Sequence, residues 1–124
     1  MATESRETGG LIGSDKVEGT AVYDARGEKI GSIERVMINK RSGQVAYAVL
    51  SFGGILGIGS DYYPIPWDSL KYDTNLGGYR LDITEEQLTG APKYAGNRWD
   101  WEDRERGRKV YDYYGTPWRE YLWF

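Results

Sequence analysis

From Gly19 onward, apolar and polar positions alternate in short runs broken by turn residues, the spacing of strands rather than of long helices. Ala21 to Tyr23 predicts a first strand. Asp24-Ala25-Arg26-Gly27 then supplies a turn, because Asp can accept from nearby backbone N–H groups and Gly tolerates positive φ. Ile30 to Ile38 predicts a second strand, with Ile30, Val36 and Ile38 on one face and Ile33 and Met37 on the other. Lys40-Arg41-Ser42-Gly43 reads as a hairpin loop. In the next run Val45, Tyr47 and Val49 alternate with Ala46, Ala48 and Leu50, one face bulky and the other mostly small. A tightly curved sheet, with little room on its concave side, would have that asymmetry.

Gly53 to Gly59 is a glycine-dense turn leading to a strand over Tyr62 to Pro66, which Pro64 and Pro66 place at an edge or a strand end because neither can donate to a ladder. Asp73-Thr74-Asn75 with Gly77-Gly78 predicts another turn, and Tyr79 to Ile83 a further strand. The period then changes. Thr84-Glu85-Glu86-Gln87 matches a capping box at the start of a short helix that Gly90 and Pro92 terminate. The expected fold is therefore mainly β, a small barrel of five to six strands with short helices.

The last quarter has a different character. Tyr94 to Phe124 holds ten of the eighteen aromatic residues, mixed with six basic and six acidic side chains. Asn97 could cap a helix carrying (i, i+4) pairs between Asp100 and Arg104, Glu102 and Arg106, and Glu105 and Lys109, which Gly107 would weaken. Thr116-Pro117 reads as a second helix start, with Trp118, Tyr121 and Leu122 on one face. We divide the chain into a disordered lead (1–10), a barrel domain (11–94) and an aromatic-rich extension (95–124) that packs on the barrel or on a second subunit.

Composition narrows the chemistry. A chain of 124 residues suits one domain. With no cysteine and no histidine it lacks thiolate ligands, the commonest general base and the commonest imidazole ligand. A net charge of −3 argues against a nonspecific grip on nucleic acid. The polar start MATESRETGG does not read as a signal peptide, and the apolar run Ala46 to Gly59, fourteen residues, falls short of the roughly 20 that a membrane helix requires. A cytoplasmic protein without a membrane span is expected.

The order of several short motifs carries a resemblance. Gly19-Thr-Ala-Val-Tyr-Asp, Gly27 with Ile30-Gly31-Ser-Ile-Glu-Arg-Val, Ser42-Gly43-Gln-Val-Ala-Tyr-Ala-Val-Leu, Gly53-Gly54 and Pro64-Ile-Pro66-Trp67 together resemble the PRC-barrel family over about Ser14 to Tyr94. That family is named after the photosynthetic reaction centre, whose H subunit carries such a barrel, and a related barrel ends a ribosome maturation factor. The resemblance implies a small β-barrel serving as a docking module.

Candidate chemistry competes with packing at each motif. Gly53 to Gly59 could cradle an anion through its backbone amides, but it leads to a strand and no Lys-Ser/Thr pair follows, so it reads as a turn whose Ile55, Leu56 and Ile58 are available for contact. Glu85-Glu86 and Glu102-Asp103 read as helix-start or solvated acids rather than a catalytic pair. Trp99, Trp101, Trp118, Tyr121, Trp123 and Phe124 are the remaining candidates for an interface, since Trp and Tyr are enriched at hot spots. The expectation is a non-enzymatic docking protein without catalytic residues, cofactor or metal, forming a homodimer through its aromatic end. Two other functions compete with it, a small-molecule or carbohydrate binder and an RNA- or ribosome-associated adaptor.

Overall fold

The structure, a computed structural model, describes residues 10–52, 61–95 and 104–118. Helix α1 (Ser14–Val17) is followed by β1 (Ala21–Tyr23), β2 (Lys29–Ile38), β3 (Val45–Phe52), β4 (Asp61–Pro66), a 3-10 turn (Trp67–Ser69), β5 (Leu70–Asp73), β6 (Gly78–Leu81), α2 (Glu85–Thr89), β7 (Tyr94–Ala95) and α3 (Arg104–Tyr113). The strands form one sheet in the order β5-β6-β1-β2-β3-β4-β7, antiparallel except for the parallel pair β1 and β6. Six strands make the body of the sheet, and β7 adds a two-residue pairing on β4.

The connectivity requires the sheet to curl. Strands β4 and β5 are five neighbours apart in the order, which in a flat sheet is about 24 Å. Only Trp67-Asp68-Ser69 separates Pro66 from Leu70, a link that spans at most about 14 Å. The two sides of the sheet must therefore approach each other, and the concave face becomes a lumen. Val22, Ile30, Ile33, Ala48, Leu50, Tyr63, Ile65, Leu70, Tyr79 and Leu81, drawn from β1 through β6, fill it as one cluster. Val17 from α1 and Leu88 from α2 join this cluster.

The curvature is built on bulges in β2 and β3. Val22 opposes Gly31 while Tyr23 opposes Lys29, so Ile30 is extra; Ile33 opposes Leu50 while Arg35 opposes Val49, so Glu34 is extra. Each bulge resets the side-chain alternation and bends the strand. As a result Ile30, Ile33 and Val36, spaced by three, all face the lumen cluster, Met37 faces the opposite side and Ile38 is exposed. The strict period-two assignment of β2 therefore fails at Ile33 and Ile38. A third bulge lies in β3, where Ile38 opposes Val45 and Met37 opposes Tyr47, leaving Ala46 unmatched.

The small side of β3 faces inward at Ala48 and Leu50, which belong to the lumen cluster, but not at Ala46, which the bulge turns to the other side, into a second cluster of Ala46, Tyr47 and Val49 with Met37 and Tyr62. The turns form where expected. Asn39 Oδ1 accepts from Arg41 N and Ser42 N, each at 2.9 Å, and Gly43 adopts φ +76° in the β2–β3 loop. Asp73 Oδ1 accepts from Asn75 N at 2.9 Å between β5 and β6. Thr84 and Gln87 complete both bonds of the capping box, at 3.1 and 2.8 Å. Pro64 and Pro66 lie beyond the short β4–β7 pairing, on a stretch of β4 that pairs with β3 alone among the described residues.

Candidate functional site

The described part of the C-terminal segment sits on the barrel through a buried helix face. Gly107, Val110, Tyr111 and half-buried Tyr114 recur at helical spacing, with Val110 and Tyr111 at 2 % and 1 % exposure, and α3 lies against β4. Gly107, which weakens a helix by its backbone freedom, falls on that buried face.

Hydrogen bonds to three parts of the barrel help to hold this segment. The Tyr111 hydroxyl donates to the Ala46 carbonyl at 2.6 Å. Ala46 is the unmatched bulge residue, so the helix engages a carbonyl at the point where the β2–β3 pairing is interrupted. The Tyr113 hydroxyl donates to the Gln87 carbonyl on α2. Ser69 of the 3-10 turn and Thr116 share a hydrogen bond at 3.0 Å between their hydroxyls.

Residues 114–118 form a helix stop, and the helix read as starting at Thr116-Pro117, with Tyr121 and Leu122 on its face, runs into residues outside those described. Gly115 takes φ +67°, Gly115 N donates to Asp112 O at 3.1 Å and Thr116 N to Tyr111 O at 3.0 Å, the paired bonds of a Schellman motif followed by Pro117. The reversal brings Trp118 back over its own helix. Its ring lies 5.4 Å from that of Tyr111 at an interplanar angle of 83°, with the Arg108 guanidinium 5.2 Å from its centroid.

Of the residues marked for contact, Trp118 is half-buried in this cluster. Ile55, Leu56, Ile58, Trp99, Trp101, Tyr121, Trp123 and Phe124 lie outside the described residues, as do Asn97 and the Glu102-Asp103 pair. Sequence reasoning missed Tyr111 as the anchor. The 107/110/111/114 spacing was the available signal, hidden by attention to the charged pairs along the same stretch.

The buried carboxylate belongs to the fold. Asp24, 1 % exposed, accepts through Oδ1 from Glu28 N and Arg26 N, each at 2.9 Å. The Glu28 bond foremost, then the Arg26 bond and the Arg26 charge, hold its carboxyl below the usual range against the opposing effect of burial. Tyr114 shows the reverse: burial, reinforced by Tyr113 and Tyr63, raises its hydroxyl well above the ordinary phenol value, and that hydroxyl is buried without a hydrogen-bond partner among the described residues. No three His, Cys, Asp or Glu among the described residues are grouped to hold a metal ion. No described helix is long and apolar enough to cross a membrane.

A curled six-stranded sheet with a filled lumen and short helices defines a small barrel module. The family model of the PRC-barrel domain matches residues 10–88, well over half of the chain, and the chain belongs to that family. Members of the family are generally not enzymes. A search of curated proteins returns no match.

Proposed function

We propose that this protein is a non-enzymatic docking module in which the barrel is the scaffold and the aromatic C-terminal end makes the contact, most simply with a second copy about a two-fold axis. The observation that supports this reading is the anchoring of the segment just before that end. Bonds to β3, α2 and the 3-10 turn fix 104–118 on the barrel, and the sequence from there to the end, Trp118-Arg-Glu-Tyr-Leu-Trp-Phe124, is aromatic at four of its seven positions. An anchored base lowers the ordering cost that a flexible binding segment would otherwise carry.

Light scattering on the full-length chain tests the proposal. A mass of twice the monomer, returning to the monomer in the double substitution Trp123→Ser and Phe124→Ser with an unchanged melting temperature, is the expected result. A monomer at every concentration up to the solubility limit sinks the self-association reading. A second reading, a small-molecule binder, is favoured by one observation, a cavity between the barrel and the anchored segment.

A further inference from the structure

Helix α3 grips β3 at its bulge, and the bulge sets the geometry of the loop before it. Val36 opposes Ala48 and Met37 opposes Tyr47; continued unchanged, that register would set Ile38 against Ala46 and Asn39 against Val45. Instead Ile38 opposes Val45. Asn39 N then donates to Gln44 O at 2.8 Å, Gly43 N donates to Asn39 O at 2.9 Å, and Lys40 to Gly43 form a four-residue loop. The β3–β4 pairing ends at Tyr47 and Pro66, so neither neighbouring strand places a residue opposite Ala46. Ala46 is nonetheless 5 % exposed, and its carbonyl accepts from the Tyr111 hydroxyl at 2.6 Å.

Two registers therefore compete at this end of β3. In the bulged one Ala46 shares the outer cluster with Tyr47 and Val49; in an unbulged one it would alternate onto the side of Ala48 and Leu50, and its methyl is small enough for either. A buried carbonyl without a donor costs free energy, so the bulged register is favoured while Tyr111 is docked and loses that support when the helix leaves. We propose that the C-terminal segment is a strap that holds the β2–β3 loop in its present register, and that releasing the segment lets the loop shift by one residue. The loop carries exposed Lys40 and Arg41, so displacing the segment changes how these two cations are presented. Coupling of this kind is reciprocal: a change in the loop also loosens the segment. It goes beyond the docking reading and holds whether or not the C-terminal end binds a second copy.

The test is amide hydrogen exchange on the full-length chain, followed by NMR, with rates taken relative to Val22 and Tyr79 of the β1–β6 pair, which report global opening. In Tyr111→Phe the Asn39 and Gly43 amides are expected to exchange about tenfold faster, the effect of losing one hydrogen bond. Asn39→Ala removes the side-chain acceptor of Arg41 N and Ser42 N, and in it the Tyr114 amide, bonded to Val110 O in the helix, is expected to exchange severalfold faster. Unchanged Asn39 and Gly43 rates in Tyr111→Phe, or an unchanged Tyr114 rate in Asn39→Ala, overturn the coupling, because each effect then stops at the element substituted. Either variant alone carries the test if the other fails to fold.

Discussion

Tyr111 concentrates the energetics of the C-terminal segment in one hydroxyl. Its ring is 1 % exposed and its proton satisfies a carbonyl at a bulge, so Tyr111→Phe leaves the Ala46 oxygen short of a donor while preserving the packing. A loss of about 1–3 kcal/mol is expected in urea unfolding monitored by tryptophan fluorescence. Tyr114 has the opposite character. Its hydroxyl is buried without a partner among the described residues and its ionisation is displaced upward, so Tyr114→Phe is expected to be neutral or stabilising by up to about 1 kcal/mol at pH 7. The sign in alkali comes from linkage. The folded state holds the phenol proton more tightly than the unfolded chain, so this contribution to stability is intact below pH about 10 and is lost as pH rises further. Melting curves from pH 9 to 11.5 are expected to fall more steeply for the native chain than for Tyr114→Phe; parallel curves would contradict the assignment.

Strand β2 shows how far a pattern of residues reaches before backbone geometry takes over. At Gly31, between the two bulges, a Cβ would sit 2.2 Å from the Ser51 carbonyl oxygen and 3.1 Å from Leu50 Cδ1. Gly31→Ala therefore pushes β2 from β3 and is expected to cost about 1–3 kcal/mol, read as a fall in melting temperature. The strands of the barrel were legible because apolar alternation bounded by Asp, Asn and Gly turns is a local signal, and the Thr84–Gln87 capping box was legible for the same reason. Bulges are a property of pairing between strands. Nothing in Lys29 to Ile38 alone reveals that Ile30 and Glu34 are extra, and so the faces of Ile33 and Ile38 were misread. The strand Leu70–Asp73 escaped notice because four residues between two turns carry too little alternation. Gly115-Thr116-Pro117 also serves as a helix stop, which the sequence reading passed over: Pro follows helix stops as well as opening helices, and the positive φ of Gly115 marks the stop. The cavity was not legible at all, since Asp68, Asp82 and Thr116 are distant in sequence and meet only through the closure of the barrel and the return of α3.

For the whole molecule, a filled lumen and a bonded C-terminal segment leave chemistry to the surface. The lumen of ten strand residues is plugged by Val17 and Leu88, and its lining is apolar apart from tyrosine hydroxyls, so it is a packed core rather than a chamber. This agrees with the family, whose barrel is a module generally without catalysis. The parallel pairing of β1 with β6 has a further consequence, for the order of assembly. Strands β2, β3 and β4 can zip as consecutive hairpins, and β5 with β6 as another, each between neighbours in sequence. Joining Val22 to Tyr79 closes the longest loop of the barrel, and long loops close last because their entropy is lost before the contact rewards it. Until β6 joins β1, a meander of β2 to β4 is an open sheet on which Ile33, Leu50 and Ile65 lack the cover of the closed barrel. An open sheet with unpaired edges is prone to wrong pairing, so the β1–β6 closure is the step that removes that hazard.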